Sequence, residues 1–297
     1  MNLTSAKSKP LPCFKTAASS WSFVLLEGFL PAFIEAFGVC GSVYSLVVLA
    51  KSKLRFAKYL FALCLWDIAL LTCTFFAHEL SVVIYGALTW NGPMSYFYWT
   101  FYPLGHISLT GSMWMVLAIA YERYMALVKP FTQRVREQKT TKWILLSILC
   151  GSIVYNSPTF FELNVETCTD EKGEKRPQIM PGSLRYQSAY MLVYRIICGT
   201  IFEGPILILF IVLLTIRTMS AMSKNNQYLL VGFDIKTAVS RDIRAATLLL
   251  GVIIKFIACY TLPGVINIAE FINPKWFVNQ WLQRLVFLSH LLVLGHR

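Results

Sequence analysis

The chain is expected to be an all-α integral membrane protein: a seven-transmembrane-helix bundle with its amino terminus outside. Three observations lead there. First, 56% of the 297 residues are hydrophobic and only 14% are charged, against about a quarter charged in soluble domains. The mean hydropathy is +0.58. A soluble domain of this length has too little interior to hide so much apolar surface, whereas lipid can cover it. Second, the apolar residues gather in runs long enough to cross a bilayer as helices, which takes about 20 residues. They lack the period-two alternation of a membrane barrel. Third, Lys and Arg concentrate in alternate loops. The net charge of +12 therefore does not point to nucleic acid, because the basic residues lie in short loops rather than along one solvated face.

The spans are taken in order. Span one, 24–50, is too long for a secretory leader and has no small-residue cleavage site at its end. Lys51, Lys53, Arg55 and Lys58 follow it. Span two, 58–86, carries Asp67 in its middle, and span three, 96–128, closes on Glu122 and Arg123. After span three come Lys129, Arg134, Arg136, Lys139 and Lys142. Span four, 141–162, leads into the polar segment Asn164 to Arg185, whose Gly and Pro suit an ordered loop or short hairpin. Span five, 187–219, runs out into a region carrying Arg217, Lys224, Lys236, Arg241 and Arg244. Span six is 243–271. Span seven, 276–294, is the shortest and is interrupted by Gln280, Gln283, Arg284 and His290.

The loops on the other side mix Glu79, Glu162, Glu166, Asp170, Glu171 and Glu174 with Lys172, Lys175, Arg176 and Arg185. The basic loops are therefore inside, residues 1–23 form an outer amino terminus, 24–294 form the membrane domain, and 295–297 form a truncated cytoplasmic end. The sequon "NLT" makes Asn2 a glycosylation candidate on that outer segment. Six cysteines fall inside spans and read as packed apolar residues: Cys40, Cys64, Cys73, Cys150, Cys198 and Cys259. Cys13 and Cys168 lie outside the spans on the oxidising face, and they are expected to pair.

The residue patterns of catalysis are missing. "HEL" at His78–Leu80 has Val82 where a zinc protease needs its second His, and there is no CxxC, G-x-S-x-G, phosphate loop or dinucleotide fingerprint. His78, His106, His290 and His296 are too scattered for a metal site, so neither an enzyme nor a metal or cofactor is expected. Pro31, Pro103, Pro158, Pro205 and Pro263 fall one per helix and read as packing kinks. They lack the pairing between two halves that a transporter of inverted repeats shows.

Ionisable groups at membrane depth are costly, so they are either paired or functional. Asp67 is expected to face the interior, held by a sodium ion or a polar network, and Glu35, Glu203 and Lys255 are further candidates. Near the outer ends lie His78, Glu79, Trp99, Tyr102, His106, Glu162, Tyr190, Tyr194, Arg195, Asn267 and Glu270. Any single Trp or Tyr among them suits the interfacial belt. The acids Glu79, Glu162, Glu203 and Glu270 together suit a cationic ligand.

"YERYMALVKPF", Tyr121 to Phe131, at the inner end of the third of seven spans resembles the D/E-R-Y segment of rhodopsin-like G-protein-coupled receptors. "LCLWD", ending on Asp67, resembles that family's second span. Pro205 in "GPILILF" resembles its span-five kink, and "FIACYTLP", ending on Pro263, resembles its span-six F-x-x-C-W-x-P with one extra residue. "YNSPTFFELNVETC", Tyr155 to Cys168, is similar to the end of span four in invertebrate FMRFamide-type peptide receptors, with Thr159 in place of an arginine. The resemblance implies a multi-pass plasma-membrane receptor. Its partners would be an extracellular amidated peptide, a heterotrimeric G protein and the bilayer. Arg123 would couple to the G protein, with Glu122 as its lock and Tyr124 beside it. Asp67 would be the internal polar hub, and Pro205 and Pro263 the hinges. Glu79, Tyr102, His106, Glu203 and Glu270 would face the ligand.

The departures are as definite. Ser42 stands for the family's span-one asparagine, Cys150 is near the place of the span-four tryptophan, and Tyr98 stands where span three has the cysteine that usually bonds the one matched by Cys168. The chain stops at "LSHLLVLGHR", without N-P-x-x-Y or the cytoplasmic helix that follows it. Three readings therefore stand open: a signalling peptide receptor, a non-coupling relative of one, and a membrane transporter or channel.

Overall fold

The computed structural model describes residue 13 and residues 21–51, 55–85, 92–128, 138–169 and 173–228. Spans six and seven, with Lys255, Cys259, Pro263, Asn267 and Glu270, lie outside the described residues, as does Asn2. Within them stand five helices long and apolar enough to cross a membrane.

Helix α1 covers residues 21–50: Trp21–Val24, a π-turn at Leu25–Phe29, then Leu30–Ala50. Helix α2 covers 55–85 as Arg55–Thr74, a second π-turn at Phe75–Glu79, and Leu80–Tyr85. Helix α3 is Pro93–Val128 and runs unbroken through Pro103. Helix α4 is Gln138–Asn156, followed by a 3-10 turn at Ser157–Phe161. Strands β1, Leu163–Thr169, and β2, Lys175–Pro181, form an antiparallel hairpin with Leu163 opposite Pro181 and Thr169 opposite Lys175. Gly173 in its turn has φ +78°, a conformation open mainly to glycine. Helix α5 covers 188–228, and its stretch Met191–Ile206 is a π-helix.

The distribution of polarity is that of a bundle in lipid. Phe33, Phe37, Tyr44 and Val48 of α1, and Leu209, Phe210, Leu213 and Ile216 of α5, point outward, while Ser95, Ser108, Thr110, Ser112, Ser152 and Asn156 are buried. Without a hydrophobic drive between helices, small and polar side chains make the close contacts. Helix α3 is the most buried of the five and packs against α2, α4, α5 and both strands. Trp66 of α2 lies so close to Gly111 that a Cβ there would be 2.7 Å from its ring. Met113, Val116 and Ala120 of α3 meet Leu207 and Ile211 of α5 in a cluster in the carboxyl-terminal half of α3.

Two expectations need correction. Pro158 does not kink a span-four helix reaching 162. The ring removes an N–H and restrains the residue before it, so the α-helix ends at Asn156. Cys40 and Cys150 are not packed inside but lie on the outward surface, whereas Cys73 is buried.

Candidate functional site

Helix α3 carries chemistry at both ends and in its middle. At the hairpin end, the carboxylate of Glu162, first residue past the 3-10 turn, is surrounded by donors. Tyr190 donates to Oε1 at 2.6 Å and Tyr102 to Oε2 at 3.2 Å. Arg195 bridges both oxygens, through Nε to Oε1 at 3.3 Å and Nη2 to Oε2 at 3.0 Å, and Nη2 also reaches the Tyr102 hydroxyl at 2.6 Å. The pair is deeply held, with side-chain exposures of 14% for Arg195 and 1% for Glu162. Burial alone would push the Glu162 carboxyl up. The charge and hydrogen bonds of Arg195 and Tyr190 outweigh it and hold the carboxyl below its usual range. Glu162 was expected to join Glu79, Glu203 and Glu270 in binding a cationic ligand, but Arg195 already neutralises it, so it does not stand open to one.

Aromatic rings line the space beside this pair. His106 meets Tyr102 edge-on at 4.7 Å between centroids, Tyr98 stacks on Tyr102 at 5.3 Å, and Tyr190 stacks on Tyr194 at 5.1 Å. The hairpin caps this end. The Trp99 indole donates to the Leu163 carbonyl at 3.1 Å, and the Gly92 amide to the Pro177 carbonyl at 2.7 Å. Cys13 and Cys168 are bonded, with Cα atoms 5.0 Å apart, and the Cys13 amide donates to Thr169. The bond ties the amino-terminal segment to β1.

Deeper in the bundle, Thr110 donates to Glu203 at 2.8 Å and accepts from Asn156 Nδ2 at 2.9 Å. This buried line joins α3, α4 and α5. Pro205 sits at the end of the π-stretch of α5, and Thr200 donates to the Arg195 carbonyl at 3.1 Å, taking up a backbone acceptor there. In the middle of α3, Ser112 donates to Asp67 of α2 at 3.0 Å. At the far end, Glu122 is buried and Arg123 and Tyr124 are half-buried.

The structure therefore groups Tyr102 and His106 around the Glu162–Arg195 pair. It sets Glu203 deeper on its own polar line and places Glu79 with Glu35 between α1 and α2. Sequence reasoning missed Ser112, Thr110 and Asn156 as partners. Their signal is faint: short polar side chains within apolar runs, where packing alone also uses them.

A family profile described as 7 transmembrane receptor (rhodopsin family) matches residues 37–296. The chain is also similar to a protein of Drosophila melanogaster named FMRFamide receptor, 26% identical over 260 residues. That match covers 82% of this chain and 45% of the relative, so the chain spans about half the length of the curated relative it matches.

Proposed function

The chain belongs to the rhodopsin family of seven-transmembrane receptors, and on that premise we propose that it senses a short amidated peptide of the FMRFamide type and activates a heterotrimeric G protein. It is a multi-pass membrane protein of a receptor family, not of an enzyme family. In the proposed arrangement it lies in the plasma membrane with the hairpin end outside, as the loop charges require.

One observation carries the reading: a single helix, α3, contributes Tyr98, Tyr102 and His106 to the cluster around the Glu162–Arg195 pair at one end and bears Glu122–Arg123 at the other. Tyr102 and Arg123 are 21 positions apart, about 30 Å at the α-helical rise. The ligand face is Tyr102, His106, Glu79 and Glu203, with Glu270 contributed by span six. Asp67, held by Ser112, is the polar hub between the two ends. Pro205 and Pro263 are the hinges, and Glu122 restrains Arg123 until the bundle opens toward the G protein. A ligand drives this only by binding the open arrangement more tightly than the resting one.

The test is a panel of RFamide peptides on cells bearing the chain, with surface labelling alongside. At least one peptide is expected to raise a second-messenger signal. Arg123→Ala is expected to reduce that signal at least 10-fold without loss of surface protein. An undiminished signal in Arg123→Ala sinks the coupling role. Flux through liposomes containing only this protein would favour a transporter instead.

A further inference from the structure

The hairpin has two outer edges, and the chain finishes only one of them. Leu163 stands opposite Pro181, Val165 opposite Ile179 and Thr167 opposite Pro177. In an antiparallel pair, opposed residues alternate between exchanging their backbone hydrogen bonds and turning those groups away from the partner strand. Contacts around the hairpin fix which residues do which. The Gly182 amide donates to the Glu162 carbonyl at 2.7 Å, in register with the strands, so the even-numbered residues of β1 bond inward to β2. The odd-numbered ones point out. The Leu163 carbonyl accepts from the Trp99 indole at 3.1 Å, the Thr169 carbonyl from the Cys13 amide at 3.2 Å, and the Pro177 carbonyl from the Gly92 amide at 2.7 Å.

The edge of β2 is blunted. Pro177 and Pro181 both fall on outward positions, where a missing N–H costs the ladder nothing. Ile179 between them is buried. The edge of β1 has no such protection. Its ends are tied, Leu163 to α3 and Thr169 to the amino-terminal segment. Between those ends, the N–H and C=O groups of Val165 and Thr167 have no hydrogen-bond partner among the described residues, and Thr167 is exposed. Val and Thr are β-branched and favour the extended strand. An open edge of this kind is a template for another extended chain.

We propose that the outer edge of β1 is a docking strand for the backbone of a peptide ligand, which adds across Val165 and Thr167 as a third strand. The inference rests on the peptide reading above and deepens it: the docked residues are those that precede the amidated tetrapeptide end in a longer ligand. The occupant is a polypeptide because the edge offers two donor–acceptor sets about 6.8 Å apart, the two-residue repeat of an extended backbone. Three residues of an antiparallel strand meet all four groups. The place also fits. The open stretch begins at Val165, close along the strand from Glu162, whose carboxylate holds Tyr102, Tyr190 and Arg195. A peptide leaving that cluster toward solvent therefore runs beside β1. Strand addition draws its affinity from main-chain hydrogen bonds, so the docked residues are free to vary in side chain.

Two peptides test this: FMRFamide, and the same tetrapeptide extended by three alanines at its amino end. Each is bound to the purified full chain in lipid nanodiscs, with amide hydrogen exchange read alongside. The extension is expected to tighten binding about 10-fold, and N-methylation of its alternate amides to remove the gain. Thr167→Pro deletes one outward donor and leaves the ladder to β2 intact. It is expected to cost the extended peptide about 5-fold and FMRFamide nothing. In the free chain the Val165 and Thr167 amides are expected to exchange readily and those of Glu166 and Cys168 slowly. The extended peptide is expected to slow Val165 and Thr167 about 10-fold or more, and FMRFamide to leave them as they are. Slow exchange at Val165 and Thr167 in the free chain means that the amino-terminal segment or a second copy already covers the edge, and overturns the proposal. So does a gain that survives N-methylation and Thr167→Pro. Binding of FMRFamide with no gain from the extension overturns the docking strand and keeps the peptide reading. Binding of neither peptide overturns both.

Discussion

Glu162 and Glu35 are the same residue type, both nearly inaccessible, in one bundle, and the structure gives them opposite surroundings. Glu162 accepts from two tyrosines and a bridging arginine. Glu35 has no charged donor, only the Thr74 hydroxyl beside it, and the carboxylate of Glu79 is near enough for the two charges to interact. The difference separates two uses of a buried acid. One holds the architecture: Glu162 joins the end of α4 to α3 and α5 beneath the hairpin. The other stands without a charge partner among the described residues, deep between α1 and α2.

The comparison breaks most sharply at Arg195. Arg195→Ala strands the Glu162 carboxylate in a dry site, and removing one partner of a buried pair costs about 3–5 kcal/mol. The expected result is a marked fall in Tm and in surface protein, largely restored by adding Glu162→Gln. A Tm unchanged in Arg195→Ala would mean that the pair holds nothing together. Cys168→Ser comes next. It frees the amino-terminal segment from β1, and losing a native disulfide typically costs about 2–4 kcal/mol. Non-reducing peptide mapping, with thermal unfolding of the variant, checks it. Free thiols at Cys13 and Cys168 in the natural sequence would end the claim. Glu35→Leu is the smallest effect and has the opposite sign. Replacing an unpartnered buried acid by an apolar side chain is expected to raise stability by about 1–2 kcal/mol. A loss of stability there would mean that Glu35 is satisfied after all and that the contrast with Glu162 is false.

What the sequence made legible follows the same division. Apolar runs of membrane length located α1 to α5 because lipid imposes that length on any helix that spans it. The polar stretch with Gly173 and Pro181 announced a loop or short hairpin, and a hairpin is there. Asp67 was legible because a lone acid in an apolar run must have a partner. That partner, Ser112, was not, because nothing in a run of apolar residues with scattered Ser and Thr marks which of them face inward. The pairing of Glu162 with Arg195 depends on helices α4 and α5 meeting at one end, a tertiary fact absent from local pattern. The π-turns were invisible for a different reason: one extra residue per turn shifts the helical phase without changing composition. Glu35 and Glu79 were both visible as charged residues near membrane depth, but their approach depends on how α1 and α2 pack, which no local pattern marks.

Coupling along α3 is the central claim. The most direct measurement is nucleotide exchange on a purified heterotrimeric G protein, with the full chain in nanodiscs and an RFamide peptide that binds it. The expected result is peptide-dependent acceleration by the natural sequence and none by Arg123→Ala at equal peptide occupancy. Peptide binding that never accelerates exchange, or acceleration that persists in Arg123→Ala, would contradict it.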